Sequence, residues 1–191
     1  MSWDFSLLAK DEDYEKTTRC LGYEQRRGTG TFDFDAKFKA QGKSNELIKT
    51  ATGKLEFFSE KGRIYEFSML AKALALVNLT ELFRGKVPDL RKEGFSFDSI
   101  IAKGDLKDGK IDVTEFLIDG SSMDIIGTGE VDLMSRKLNF NLFVAPFKTI
   151  NALTQRTPII RNILGGNILS VPITVKGDLG NPEVSATPSK P

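Results

Sequence analysis

The sequence contains no histidine. That removes the Ser-His-Asp triad, the Cys-His pair, the HExxH motif and every imidazole-ligated metal. One cysteine, Cys20, excludes intrachain disulfides, CxxC redox centres and thiolate zinc clusters. Charge of either sign is not in excess: 27 Lys+Arg against 26 Asp+Glu leave a formal +1. Such a balance lacks the basic surplus that nucleic acid or an anionic membrane surface attracts. No run of about 18 apolar residues occurs, so no segment reads as transmembrane. Met1-Ser2-Trp3-Asp4 offers neither a basic n-region nor an apolar h-region, so the start does not read as a signal peptide. The expectation is a cytosolic chain or a segment of a longer one. Tyrosine and tryptophan are scarce, 3 and 1, against 14 phenylalanines. Phenylalanine has no polar tip, so these rings require a place that water does not reach.

Hydrophobic residues at 40% and charged residues at 28% fit a globular domain with a real core. At 191 residues one domain is expected, burying roughly 70% of its unfolded surface. Period-two alternation dominates the chain. Between Thr31 and Ala40, Phe32, Phe34, Ala36, Phe38 and Ala40 alternate with Asp33, Asp35, Lys37 and Lys39. That is a strand with one dry face and one wet face. Leu55 and Phe57 repeat the pattern over Lys54–Phe58, and a further short strand follows a turn at Gly62. Beyond Phe95 and Phe97 the phase slips by one residue at Ile100-Ile101, which reads as a bulge or a strand end.

The second half alternates more cleanly. Asp108-Gly109 marks a hairpin turn, because both residues tolerate positive φ. Ile111, Val113, Phe116 and Ile118 follow, with another turn at Asp119-Gly120. Met123, Ile125, Val131 and Leu133 alternate across Gly127 and Gly129, which themselves read as a bulge or a close backbone approach. Leu138, Phe140, Leu142 and Val144 form the next strand, and Val171–Val175 the last, its Pro172 suiting an edge or a strand start. Trp3, Phe5 and Leu7 allow one strand more. The segment 178–191, rich in Pro and Ser, reads as a flexible tail.

Two stretches depart from alternation. Ser68 to Phe83 reads as a helix, apolar almost all round through Leu70, Leu74, Leu76, Val77, Leu79 and Phe83. At about 24 Å it is too short to span a bilayer. Residues 147 to 164 read as two short helices split at Thr157-Pro158. The expected class is therefore α+β, with roughly eight antiparallel strands and two helical inserts.

Candidate chemistry is thin. The carboxylates alternate with lysines on wet strand faces, whereas an acid-base pair needs burial to separate its pKa values. Asp11-Glu12-Asp13 lacks the glycine and distal glutamate of a calcium loop and reads as an ordinary loop. No glycine cluster sits between a strand and a helix as a phosphate cradle requires. No enzyme activity, cofactor or metal is expected. The apolar sheet face is the informative feature. A helix about 10 Å wide covers about two strands spaced 4.8 Å apart, so two helical inserts leave part of eight strands uncovered. An uncovered apolar strip is a ligand groove or a partner surface.

The order of these segments resembles the C-terminal region of the AsmA-like family. An amphipathic strand is followed by a Leu-Ala-rich helix with NLTELFRGKVPDL and then by GFSFDSI. GDLKDGKIDVTEFLIDGSSMDIIGTGEVDLMSRKLNFNLFVAPF and ILGGNILSVPITVKGDLGNPEV complete the resemblance, over about Gly28 to Val184. It is nearest the large YhdP-type envelope members, with TamB-type members more distant. The resemblance implies a curved antiparallel sheet with an apolar concave face, a β-groove, in the periplasm or cell envelope of a diderm bacterium. It implies phospholipids as ligands, and other envelope proteins, or the rest of a longer AsmA-like chain, as partners. It also implies support of outer-membrane integrity, and an inner-membrane anchor in the parent family that this sequence does not carry. The groove-lining positions would be Phe32, Phe34, Phe38, Leu55, Phe57, Met123, Ile125, Val131, Leu133, Leu138, Phe140 and Leu142. The helix from Ser68 would close the groove's end or touch a membrane. An envelope assembly module with a closed core and protein partners is the alternative.

Overall fold

The computed structural model describes residues 2–23, 27–44, 46–65, 68–78, 93–146 and 170–187. Nine strands form one open antiparallel sheet in strict sequence order, each pairing with the next. They are β1 (Ser2–Asp13), β2 (Gly28–Gln41), β3 (Thr52–Ile64), β4 (Phe95–Lys107), β5 (Lys110–Gly120), β6 (Met123–Asp132), β7 (Lys137–Pro146), β8 (Val171–Asp178) and β9 (Glu183–Ala186). Three helices are described: α1 (Tyr14–Cys20), α2 (Leu47–Thr50) and α3 (Ser68–Asn78). The described residues thus form a curved meander sheet with few helices.

Short connections explain the meander, because antiparallel neighbours need only a few linking residues. Asp108 (φ 51°) and Gly109 (φ 77°) make the β4–β5 turn as expected. The β6–β7 turn is held by the Asp132 carboxylate, which accepts from the Met134 and Ser135 backbone N–H groups at 2.9 Å each. Those bonds lower the Asp132 pKa, the Ser135 backbone contributing most.

Several local expectations are corrected. Gly62 does not turn the chain; it lies inside β3, with the Phe97 ring where a Cβ would stand. Asp119-Gly120 ends β5, and the turn falls at Ser121-Ser122. Asp11-Glu12-Asp13 closes β1, and Asp13 caps α1 by accepting from the Lys16 N–H at 2.8 Å. Part of the expected tail is structured, since β9 pairs with β8 from Ile173↔Ala186 to Lys176↔Glu183. The Ser68 helix is described to Asn78; Leu79 and Phe83, and the whole expected insert 147–164, lie outside the described residues.

Bulges step across four neighbouring strands. The β1–β2 register shifts at Lys10-Asp11 (Asp11 φ 55°), and the β2–β3 register at Gly30 (φ 100°). The β3–β4 ladder skips Lys61 (φ 46°), and the β4–β5 register shifts at Asp98. Bulges bend and twist the strands that carry them, so this line forms a crease. It also accounts for the phase slip: Phe95, Phe97 and Ile64 pack in the same cluster as Ile100 despite the odd-to-even change.

Candidate functional site

Following the registers strand by strand puts the apolar alternation on one face. Phe34 stands opposite Phe57, which stands opposite Ala102, then Phe116, Gly127, Leu142 and Ile173. One row over, Ala36, Leu55, Gly104, Val113, Gly129, Phe140 and Val175 align in the same way. All twelve positions named from the sequence are on this face. Phe32, Phe34, Phe38, Leu55 and Phe57 lie in its β2–β3 part; Met123, Ile125, Val131, Leu138, Phe140 and Leu142 lie in its β6–β7 part. Leu133 sits just past β6, half-buried beside Ala40, Ala51 and Leu106.

The β4–β8 part of this face is filled. Phe95, Ile118, Met123, Ile125, Leu142, Val144, Ile173 and Val175 form one buried cluster into which Leu70 and Ala73 of α3 insert. Leu76 packs at its margin, whereas the Leu74 and Val77 side chains lie outside the described residues. Lys72 fastens the helix: its Nζ donates to Asn181 Oδ1 at 2.6 Å and to the Pro182 carbonyl at 2.7 Å. Beneath α3 remains a cavity of about 130 Å³ with a wholly apolar lining. Ile64, Ile100, Phe116, Ile118, Ile125 and Leu142 are among its walls.

The β1–β3 part is different in chemistry and exposure. Its side chains are mainly aromatic: Trp3 stacks on Phe5, Phe5 lies against Phe38, and Phe32 stacks on Phe57 with centroids 5.7 Å apart. Trp3, Phe5 and Leu7 expose 40%, 37% and 54% of their surface, while Phe32, Phe34 and Phe38 are half-buried. One residue of α1 reaches over this area. Tyr14 lies 5.0 Å from the Phe32 ring and 6.3 Å from the Phe57 ring. Burial raises the Tyr14 pKa, partly offset by its hydrogen bond with Ser59.

Sequence reasoning missed two parts of this surface and one apolar row on the other face. Ile100 was hidden by the phase slip and Ile64 by the turn expected at Gly62, while Phe116 and Ile118 alternated correctly without being named as lining positions. Tyr14 was hidden because a seven-residue helix carries too little periodicity to read. On the opposite face, Phe58, Ile101, Leu117, Ile126 and Phe143 make one cross-strand apolar row. Leu117 and Ile126 are buried there, so that face is not uniformly wet.

Two of the remaining polar groups are buried carboxylates, Asp119 and Asp124, which stand opposite each other across β5 and β6. Among the described residues no three acidic or cysteine side chains cluster as metal ligands. Exposed ion pairs include Lys110–Glu130 at 2.8 Å and Lys37–Asp35 at 3.1 Å. No described helix is long and apolar enough to cross a membrane.

This sheet, with its apolar face and Leu-Ala-rich helix, has named relatives. The family described as YhdP protein matches residues 3–184. The chain belongs to the YhdP family. The family assignment agrees with the AsmA-like resemblance in the sequence. A stretch of 107 residues is 35% identical to the intermembrane phospholipid transporter YhdP of Escherichia coli K12. That stretch makes up 53% of this chain and 8% of the relative, so the chain corresponds to a small part of that protein. No solved structure matches the chain.

Proposed function

We propose that this chain is a non-enzymatic lipid-binding and lipid-transfer domain of the bacterial cell envelope, acting in the periplasm in support of the outer membrane. Phospholipid acyl chains lie on the apolar face, treated as the concave lining of a β-groove, while headgroups stay in water at its rim. The observation that carries this reading is the uncovered aromatic part of the face, from Trp3 and Phe5 to Phe34 and Phe38, continuous with the buried part under α3. An ordinary core closes over its rings, whereas exposed aromatic area on a sheet face marks a binding surface. Kinship with a protein named as a phospholipid transporter supports the same reading. Affinity from apolar area discriminates weakly, since one methylene is worth only about 0.8 kcal/mol, and weak discrimination suits passage rather than storage.

In this reading α3 closes one end of the groove. Native mass spectrometry of detergent-free protein, with extraction and identification of bound lipid, tests the proposal. Phospholipid adducts are expected, and Phe34→Glu is expected to remove them while the melt stays cooperative, because Phe34 lies in the uncovered part. A clean apo mass from wild-type protein, or adducts that survive Phe34→Glu, sinks it. The first of those outcomes leaves an envelope assembly module with protein partners.

A further inference from the structure

The cavity beneath α3 has the size and chemistry of a small hydrocarbon site. Its volume is about 130 Å³ and its lining is wholly apolar. Dry apolar cavities of about 150 Å³ bind benzene, so this one takes roughly five carbons of a chain. Its floor is made by two neighbouring cross-strand rows. Ile100, Ile118 and Ile125 belong to one, Phe116 and Leu142 to the next, with Gly127 between them. Leu70 and Ala73, on one side of α3, form the roof. Burial of these walls is uneven. Ile125 and Leu142, toward β6 and β7, are buried, as are both roof residues. Ile64 and Phe116, toward β3 and β5, are only half-buried. Ala102, in register between Phe57 and Phe116, is half-buried too and carries only a methyl group. The cavity is thus closed toward β7 and reached from the side of the open aromatic rings. From Phe34 on β2 to Phe116 on β5 is a path of three strand spacings, about 14 Å.

We propose that this cavity receives the methyl end of one phospholipid acyl chain whose upper part lies on the open aromatic rings, a step that rests on the lipid-binding function proposed above. An acyl chain fits because it is slender, brings no polar atom past Phe116 and ends in a methyl group. A headgroup does not enter, since an apolar wall offers it no hydrogen-bond partner. Length sets which chains arrive. At carbon–carbon bond lengths near 1.5 Å, an extended sixteen-carbon chain is about 20 Å long. It crosses the path from Phe34 to Phe116 and still places about its last five carbons beneath α3. An extended twelve-carbon chain, about 14 Å long, stops at the Phe116 mouth. The cavity therefore acts as a depth gauge on a face that otherwise discriminates weakly.

Detergent-free protein loaded from vesicles of dipalmitoyl and dilauroyl phosphatidylglycerol in equal amounts tests this. With ¹³C at the terminal methyl of the palmitoyl chains, nuclear Overhauser contacts are expected to the methyl groups of Leu70, Ile125 and Leu142. Ala73→Leu puts three carbons into the cavity, and a filled cavity is expected to leave the melt cooperative. Each displaced methylene is worth about fourfold in affinity. The ratio of dipalmitoyl to dilauroyl lipid retained, read by native mass spectrometry, is therefore expected to fall at least about tenfold in the variant. Labelled methyl groups remote from those three residues, or a ratio unchanged by Ala73→Leu, overturn the proposal, while the retained lipid upholds the lipid reading. Contacts from labelled free palmitate and none from the phospholipid overturn the phospholipid as the source of the chain. Wild-type protein that retains neither lipid overturns both. The contacts are read in wild-type protein, so the test stands even where the variant folds poorly.

Discussion

The two parts of the apolar face obey one alternation and reach opposite states. From β4 to β8 it is mainly aliphatic and largely dry: Val144 and Ile173 expose 0% of their surface, and α3 inserts Leu70 and Ala73 among them. From β1 to β3 it is more aromatic and partly wet, and among the described residues Tyr14 of a seven-residue helix reaches across it. Period two therefore decides which side chains share a face and says nothing about whether that face is covered. Cover comes from the segments between strands. The β3–β4 connection supplies an eleven-residue helix fastened by Lys72, and the β1–β2 connection supplies a helix with no buried residue. One part behaves as a core and the other as a surface, although their strands were written by the same rule.

The largest effect expected from this contrast is on stability. Leu142→Ala, in the buried part, is expected to cost about 2–5 kcal/mol, because it removes packed methyl groups and enlarges a cavity already present beneath α3. Leu7→Ala, on the same face but half-exposed, is expected to cost less than about 1 kcal/mol, as exposed substitutions do. Urea denaturation of both variants measures the difference. Equal costs would mean that the β1–β3 part is as well packed as the rest and would remove the distinction.

A smaller effect is expected where the cover is attached. Lys72→Met keeps the apolar stem and removes both donated hydrogen bonds, at a cost of about 1–3 kcal/mol for bonds from a charged donor. The loss is expected to be local. Amide hydrogen exchange should quicken most in α3, β8 and β9 while β1 and β2 keep their protection, since α3 packs mainly against β8 and β9. Uniform acceleration across all nine strands would show that α3 is not a separable cover.

How much of this was legible in the sequence follows from the same physics. The twelve named face positions were readable because alternation is local: Phe32, Phe34 and Phe38 need no partner to be assigned to one side. The hairpin at Asp108-Gly109 was readable because positive φ restricts the residue types allowed. What escaped depends on pairing. The crease through Asp11, Gly30, Lys61 and Asp98 is a register effect between strands, so only its Ile100 phase slip showed in the chain. β9 was mistaken for tail because four residues between prolines acquire strand geometry only from β8. The apolar row from Phe58 to Phe143 escaped because Phe58, Ile101 and Leu117 each sit alone between polar or charged residues on the second face of their own strand.

The smallest expected effect concerns Tyr14, a polar side chain set among the open aromatics. Burial raises its pKa above the ordinary tyrosine value of 10.0, so the folded protein holds this proton more tightly than the unfolded chain does. Below pH 10 both states keep the proton and the residue adds no pH dependence. As pH rises past 10 the unfolded chain ionises first, and stability falls until the folded residue also ionises. For one group the slope cannot exceed about 1.4 kcal/mol per pH unit. Lysines and the other tyrosines titrate in the same range, so the measurement is a difference: urea midpoints at pH 9 and pH 11 for wild type and for Tyr14→Phe. The variant is expected to lose less stability between the two pH values. Parallel losses would mean that Tyr14 is as wet as Trp3 and Leu7, and that the open part of the face has no cover at all.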